Sequence, residues 1–382
     1  MLFVLRNALI FAIARGSRLG VLILVAIWFG VSSETDSFFL AYALVAMVAT
    51  AAYTVFGHVA ASHLHTLERR TWLLAVGVAG ILAVVALAID SSLLLALAPY
   101  LLFSLSSSIV AGRTVARGRL LNAPVAAVVG ALASVGVLVA LHFTREVTLL
   151  SVVWALSIGE FFRLILLFAL PWQDDEESNP PKFSLLTSQL AVGLLFSVPQ
   201  FISRLSAGTL EDGRVSELSY ALLLLGAVTA LFSGGIFAVN SFLWRGLTNR
   251  EVLYSLKGRT LVGVVLVTMV SLWLALGAGA GAMLLSGSPG VVARLSLILI
   301  LSLPISVVTY TNYSALAITL GTKYLLLSGL IYSLAASGLL VLFGLAFGIY
   351  GIAWAYVLGH IILFFLLRQS SAVHLGKEES FA

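Results

Sequence analysis

The segment PWQDDEESNPPK, Pro171 to Lys182, is a conspicuous polar break in an otherwise apolar chain. Three prolines and the run Asp174, Asp175, Glu176, Glu177 make it a solvated linker rather than part of a helix. What it separates decides the fold. A membrane-crossing helix needs about 20 consecutive apolar residues. Six such stretches precede the break, near 8–30, 37–62, 71–89, 93–112, 120–141 and 148–170. Six follow it, near 183–207, 217–243, 260–285, 291–317, 324–346 and 350–368. The last two are divided at FGIYG, where Gly348 and Gly351 permit a turn.

Composition agrees. Of 382 residues, 61% are hydrophobic and 10% charged, against about 25% charged in soluble domains. The expectation is an all-α polytopic membrane protein of twelve transmembrane helices. The domain reading is an N-terminal six-helix lobe over 1–171, an acidic cytoplasmic linker over 172–182, a C-terminal six-helix lobe over 183–368 and a cytoplasmic tail over 369–382. The N-terminus reads as a first span rather than a cleaved signal peptide, because no small-residue cleavage site follows a short apolar core.

The sequence has no cysteine, which excludes disulfides, thiolate metal sites and a cysteine nucleophile. Its six histidines are scattered without metal-ligand spacing. It shows neither a Walker loop nor a dinucleotide glycine fingerprint. The expectation is therefore no enzyme, no metal and no cofactor. Any driving force must be a sodium or proton gradient, the membrane potential or the substrate gradient. The net charge of +5 reports topology, not nucleic acid. Connections of one set carry thirteen Lys and Arg, from Arg69 to Lys377; the other set carries only Arg145, Arg214 and Arg294. The positive-inside rule then places both termini in the cytoplasm.

The halves repeat. WALSIGEFFRLILLF (154–168) aligns with WAYVLGHIILFFLLR (354–368) at an offset of 200, pairing Trp154, Ala155 and Gly159 with Trp354, Ala355 and Gly359. SRL occurs at 17–19 and at 203–205, each followed by an acidic turn and a Tyr-Ala pair, Tyr42-Ala43 and Tyr220-Ala221. Six helices per half keep both halves in one orientation. The repeats are therefore parallel, related by an axis along the membrane normal, with a site at their interface.

GVSSETDSFFLAYAL (30–44), SRLG (17–20) and ISRLSAGTLEDGRVSELSYAL (202–222) resemble signature stretches of the lipid II flippase family (MviN/MurJ-like). That family belongs to the multidrug/oligosaccharidyl-lipid/polysaccharide exporter (MOP) superfamily. The resemblance implies a two-lobed core, a central cavity, alternating access and a substrate carried as a polyprenyl diphosphate. The sequence departs from the family at VLIL (21–24), at ALVAMVATAAY (43–53) and at Leu222 to Leu224, where the family carries basic residues. It also ends after twelve expected helices, without the two that the family typically adds. The functional expectation is a flippase for a lipid-linked cell-wall or polysaccharide precursor, working as a monomer in a bacterial-type inner membrane. A cation-coupled multidrug exporter of the same superfamily and a non-transporting membrane scaffold stand as alternatives.

Three arginines are candidates for the diphosphate. Arg15 and Arg18 share a helix face, and Arg204 is the repeat mate of Arg18. A charge in the bilayer costs at least about 2.5–3.5 kcal/mol and faces protein or water, and the guanidinium fork suits phosphate. The plainer readings are headgroup snorkelling for the first two and a salt bridge from Arg204 to Glu211 or Asp212. Asp36 reads either as an N-terminal cap or as a gating ion pair. Glu160 and Arg163, three residues apart, read as a buried ion pair or as a site whose carboxylate couples to a cation. His360 is the repeat mate of Glu160 and a second candidate coupling group.

Overall fold

The computed structural model describes residues 10, 13–14, 19–63, 69–116, 121–144, 146–170, 183–226, 229, 248, 251–252, 263, 270, 289–318 and 322–380. The linker 171–182 lies outside them, as do Arg15, Arg18 and most of the eighth and ninth expected spans. Among the described residues all regular structure is helical. In a hydrocarbon solvent each backbone N–H and C=O must be satisfied within its own segment, which selects helices for these apolar runs. The helices are α1 (Leu19–Phe29), α2 (Ser33–His63), α3 (Arg69–Ala88), α4 (Ser92–Ala116), α5 (Asn122–Thr144), α6 (Leu149–Ala169), α7 (Phe183–Ala207), α8 (214–226), α9 (Pro289–Ile300) and α10 (Leu303–Ile318). The helical stretch Thr322–Ser380 completes the set. Among the described residues, five long helices and that last stretch are long and apolar enough to cross a bilayer. The chain is a multi-pass membrane protein.

Contacts divide the chain into two units. One holds 13–29 and 37–194; the other holds 1–12, 30–36 and 195–382. In the first unit α6 packs on α5 and α4, and α1 packs on α5 and α6. The α5–α6 crossing is set by small residues. A Cβ on Gly159 would meet Ser134 Oγ at 1.9 Å and the Gly130 carbonyl at 2.4 Å, so the two backbones approach as only small residues allow.

In the second unit the expected turn at Gly348 is present. Its φ of +61° and ψ of −147° suit only a residue without Cβ. It divides α11 (322–347) from α12 (349–380). The two run antiparallel: Ser328 hydrogen-bonds Ser370 at 2.8 Å, and Tyr324 lies against His374.

Three details refine the expected spans. The span expected over 291–317 is two helices, α9 and α10, bent by 47° at Leu301–Ser302. Pro304 brings no N–H for the carbonyl four residues before it, and Leu301 and Ser302 make tighter i→i−3 bonds instead. The segment expected as a cytoplasmic tail, 369–382, is helical through Ser380 as the end of α12. α2 begins at Ser33 rather than near 37, because Ser32 and Thr35 cap it reciprocally. The Ser32 N–H donates to Thr35 Oγ1 at 2.9 Å, and the Thr35 N–H donates to Ser32 Oγ at 3.2 Å.

Candidate functional site

Two polar clusters are built inside the helices, one in each unit. The first joins the 30–36 turn to the start of α8. α1 ends at Gly30, whose φ is +60°. Because Ser32 and Thr35 cap α2, the Asp36 carboxylate is available to a different helix. Its Oδ2 accepts the Gly213 N–H at 2.6 Å and its Oδ1 accepts the Ser216 N–H at 2.7 Å. These are among the N–H groups a helix start leaves without a partner, and a carboxylate there also favours the helix dipole. Asp36 is thus a cap, but of α8 rather than of its own helix. Ser216 Oγ also donates to Asp36 and lies 2.7 Å from Thr35 Oγ1, and the Tyr220 hydroxyl donates to the Gly30 carbonyl. Gly213 makes the approach possible. Its φ is +87°, and a Cβ there would lie 2.5 Å from Val31 Cγ1.

The other side of α8 carries charge. Arg214 bonds Glu211 at 2.6 Å and the buried Glu217 at 2.9 Å. These carboxylates, Glu211 first, raise the Arg214 pKa above its ordinary value. Glu211, one of the two partners that the plainer reading gives Arg204 beside Asp212, is held by Arg214. Arg204 near the end of α7 is half-buried. Its Nε donates to Ser219 Oγ at 3.2 Å and its Nη1 to the Gln200 carbonyl at 3.0 Å. Ser216, Ser219 and Tyr220 therefore present one polar face of α8, stitched to the 30–36 turn and to α7. The sequence reading singled out none of these as site residues. Their signal was the i, i+3, i+4 spacing of hydroxyls next to the repeated Tyr-Ala pair.

The second cluster lies in the first unit. Arg163 Nη1 bonds Glu160 Oε2 at 3.0 Å. The two residues are 2% and 6% exposed, so both charges are out of water. Gly130 of α5 makes room for the arginine stem, since a Cβ there would lie 2.9 Å from Arg163 Cβ. The pair borders a cleft of about 20 Å³ that Tyr42, Tyr100 and Ser134 also line. Tyr42 is held by stacking on Phe38, with ring centroids 5.8 Å apart.

His360 on α12 places Nδ1 3.0 Å from the Tyr356 carbonyl. A carbonyl only accepts, so Nδ1 carries the hydrogen and Nε2 is the acceptor of the neutral ring. Arg15 and Arg18 lie outside the described residues. Among the described residues no group of three His, Asp or Glu could hold a metal ion.

No protein-family model matches the sequence, and no curated protein matches it. Solved structures do match in fold. One is a lipid II flippase MurJ in an inward closed conformation, with a TM-score of 0.68 and 15% identity over 95% of this chain and 86% of that one. Another is an outward-facing multidrug resistance MATE family transporter of the MOP superfamily, with a TM-score of 0.69 and 14% identity over 99% of this chain and 96% of that one. A MATE structure in complex with MaL6 matches with a TM-score of 0.66 and 16% identity over 99% of this chain and 96% of that one. The chain therefore shares the all-helical fold of these structures.

Proposed function

We propose that the protein is an alternating-access flippase that moves a lipid-linked polyprenyl-diphosphate glycan from the cytoplasmic to the outer leaflet. The observation that carries this reading over a cation exporter is the Glu160–Arg163 pair. A cation-coupled exporter needs a carboxylate that can exchange its partner, and Glu160 already has a guanidinium at 3.0 Å. Arg204, with Arg18 and Arg15, supplies positive charge for the diphosphate. A planar, permanently charged fork on each lobe suits a dianion better than one alone. The lobes are the segments 1–171 and 183–368, joined by the acidic linker. Both termini are cytoplasmic, and the membrane is a bacterial-type inner membrane.

The Asp36 cap on α8 fits a gate. A carboxylate that satisfies a helix start from another segment holds while the two stay together and can be released when they part. The competing reading, a cation-coupled multidrug exporter, is supported by the likeness to MATE structures.

Native mass spectrometry of the purified protein with a polyprenyl-diphosphate glycan, and separately with lipophilic cations, tests the choice. Retention of the diphosphate lipid, weakened in Arg204→Ala and in Arg18→Ala, is the expected result. Retention of the cations alone assigns the chain to the exporters.

A further inference from the structure

The α6 ion pair points to an inference about energy coupling. It rests on the transporter reading and deepens the observation that favours a flippase over a cation exporter, while its own test does not depend on which substrate binds. We propose that Arg163 is a tethered counter-cation that permanently occupies the cation position of Glu160. Neither sodium nor a proton then exchanges at this carboxylate during the transport cycle.

Three observations lead there. The first is depth. Glu160 lies eleven residues after Leu149 and nine before Ala169, which is about 17 Å and 14 Å along the helix. That is mid-span, where a lone carboxylate demands a counter-charge. The second is connectivity. Donor and acceptor are three residues apart on one helix. A rocking motion that moves helix bundles as bodies leaves their separation unchanged, whereas a coupling ion must bind and leave. The third is the surroundings. Gly130 leaves space for the Arg163 stem, and the cleft beside the pair has room for about one water. Tyr42 on α2, Tyr100 on α4, Ser134 on α5 and Glu160 itself are among the residues that line it. Tyr42 and Tyr100 are the other titratable groups facing the pair from packed helices among the described residues. The cleft is lined by residues that carry oxygen, and the Arg163 guanidinium already holds the one buried carboxylate among them.

The prediction is that removing Arg163 opens a cation site. Thermal unfolding of the full chain in detergent would be followed in sodium chloride and in choline chloride at equal ionic strength, and from pH 6 to pH 8. Unaltered protein is expected to melt at the same temperature in both salts. Arg163→Ala is expected to melt higher in sodium, or at the lower pH, by about 2 °C or more. The double variant Glu160→Gln/Arg163→Ala is expected to lose that response. A sodium or proton stabilisation of unaltered protein that Glu160→Gln/Arg163→Ala abolishes overturns the proposal, and this comparison holds even if Arg163→Ala does not fold. An Arg163→Ala protein that folds yet ignores both cations also overturns it. Loss of diphosphate-lipid retention in the separate mass-spectrometric test would sink the flippase reading without touching this one.

Discussion

α6 and α12 are the same helix written twice. At an offset of 200 their exposures coincide: Trp154 and Trp354 are 48% and 46% exposed, and Ala155 and Ala355 are both fully buried. Each repeat also buries a leucine near its end, Leu167 and Leu367. Each places a glycine against the preceding helix, Gly159 on Gly130 and Ser134, Gly359 on Ala336. The frame is therefore shared. What the frame encloses is not. Where α6 carries Glu160 and Arg163, α12 carries His360 and Leu363. One repeat buries an ion pair. The other buries a leucine and leaves a half-buried imidazole bonded to its own helix's carbonyl. The orientation of a membrane helix follows from its small and aromatic residues, while the chemistry in its interior can be exchanged without changing that orientation.

Breaking the α6 pair should give the largest effect. Arg163→Leu copies the second repeat at one position and strands a buried carboxylate, at a cost of about 3–5 kcal/mol. Adding Glu160→His completes the copy and should recover most of that loss, because a buried pair is often replaceable by neutral groups of similar volume. Thermal unfolding of the single and double variants checks both; a double variant as unstable as the single would break the equivalence of the two frames.

Next come the two glycine contacts. Gly159→Ala forces a Cβ into backbone and should cost about 1–3 kcal/mol. Gly359→Ala meets Ala336 Cβ at 3.2 Å and should cost less than half as much. Equal losses in thermal unfolding would show that the second crossing is as tight as the first.

Asp36→Ala compares a helix capped from afar with one capped locally. It should cost about 1 kcal/mol and speed hydrogen exchange in the first turn of α8. The first turn of α2, held by Ser32 and Thr35, should be unchanged. Faster exchange in both would mean that the turn folds as one piece.

The smallest effect separates two caps that differ by one ionisable group. The start of α6 is held by Thr148 and Ser151, both neutral. At 248–251, the Glu251 carboxylate accepts the Thr248 N–H at 2.8 Å. That bond lowers the Glu251 pKa from its ordinary value of about 4.5. A depressed carboxylate contributes above its ordinary pKa and loses that contribution as pH falls through the folded value. Between pH 6 and pH 3, the protection of the Thr248 N–H relative to its unfolded exchange rate should fall, while that at Thr148 and Ser151 stays constant. A parallel change at both would remove Glu251 as the cause.

Much of this was legible in the residues. Span positions follow from runs of apolar side chains. The repeat register follows from Trp, Ala and Gly recurring at 200, and the α11–α12 turn from Gly348. The Glu160–Arg163 pair follows from i, i+3 spacing. Each of these is local, or repeats a local pattern. Pro304 offered a local signal for the break between α9 and α10, but the continuous apolar run around it concealed the bend.

The rest was decided by tertiary structure. Asp36 reads as a cap of the helix it begins or as half of a gating ion pair; its carboxylate partners are Gly213 and Ser216, 177 and 180 residues away. Nothing local distinguishes a carboxylate that caps its own helix from one that caps a distant helix, because both need only an acid near a turn. The room for Arg163 is likewise a property of Gly130 on another helix. The sequence by itself determined that the chain is a helical multi-pass membrane protein, because lipid reads apolar length directly. Which polar groups meet was settled only by the folded arrangement, because a hydrogen bond needs two partners, and the chain carries them far apart.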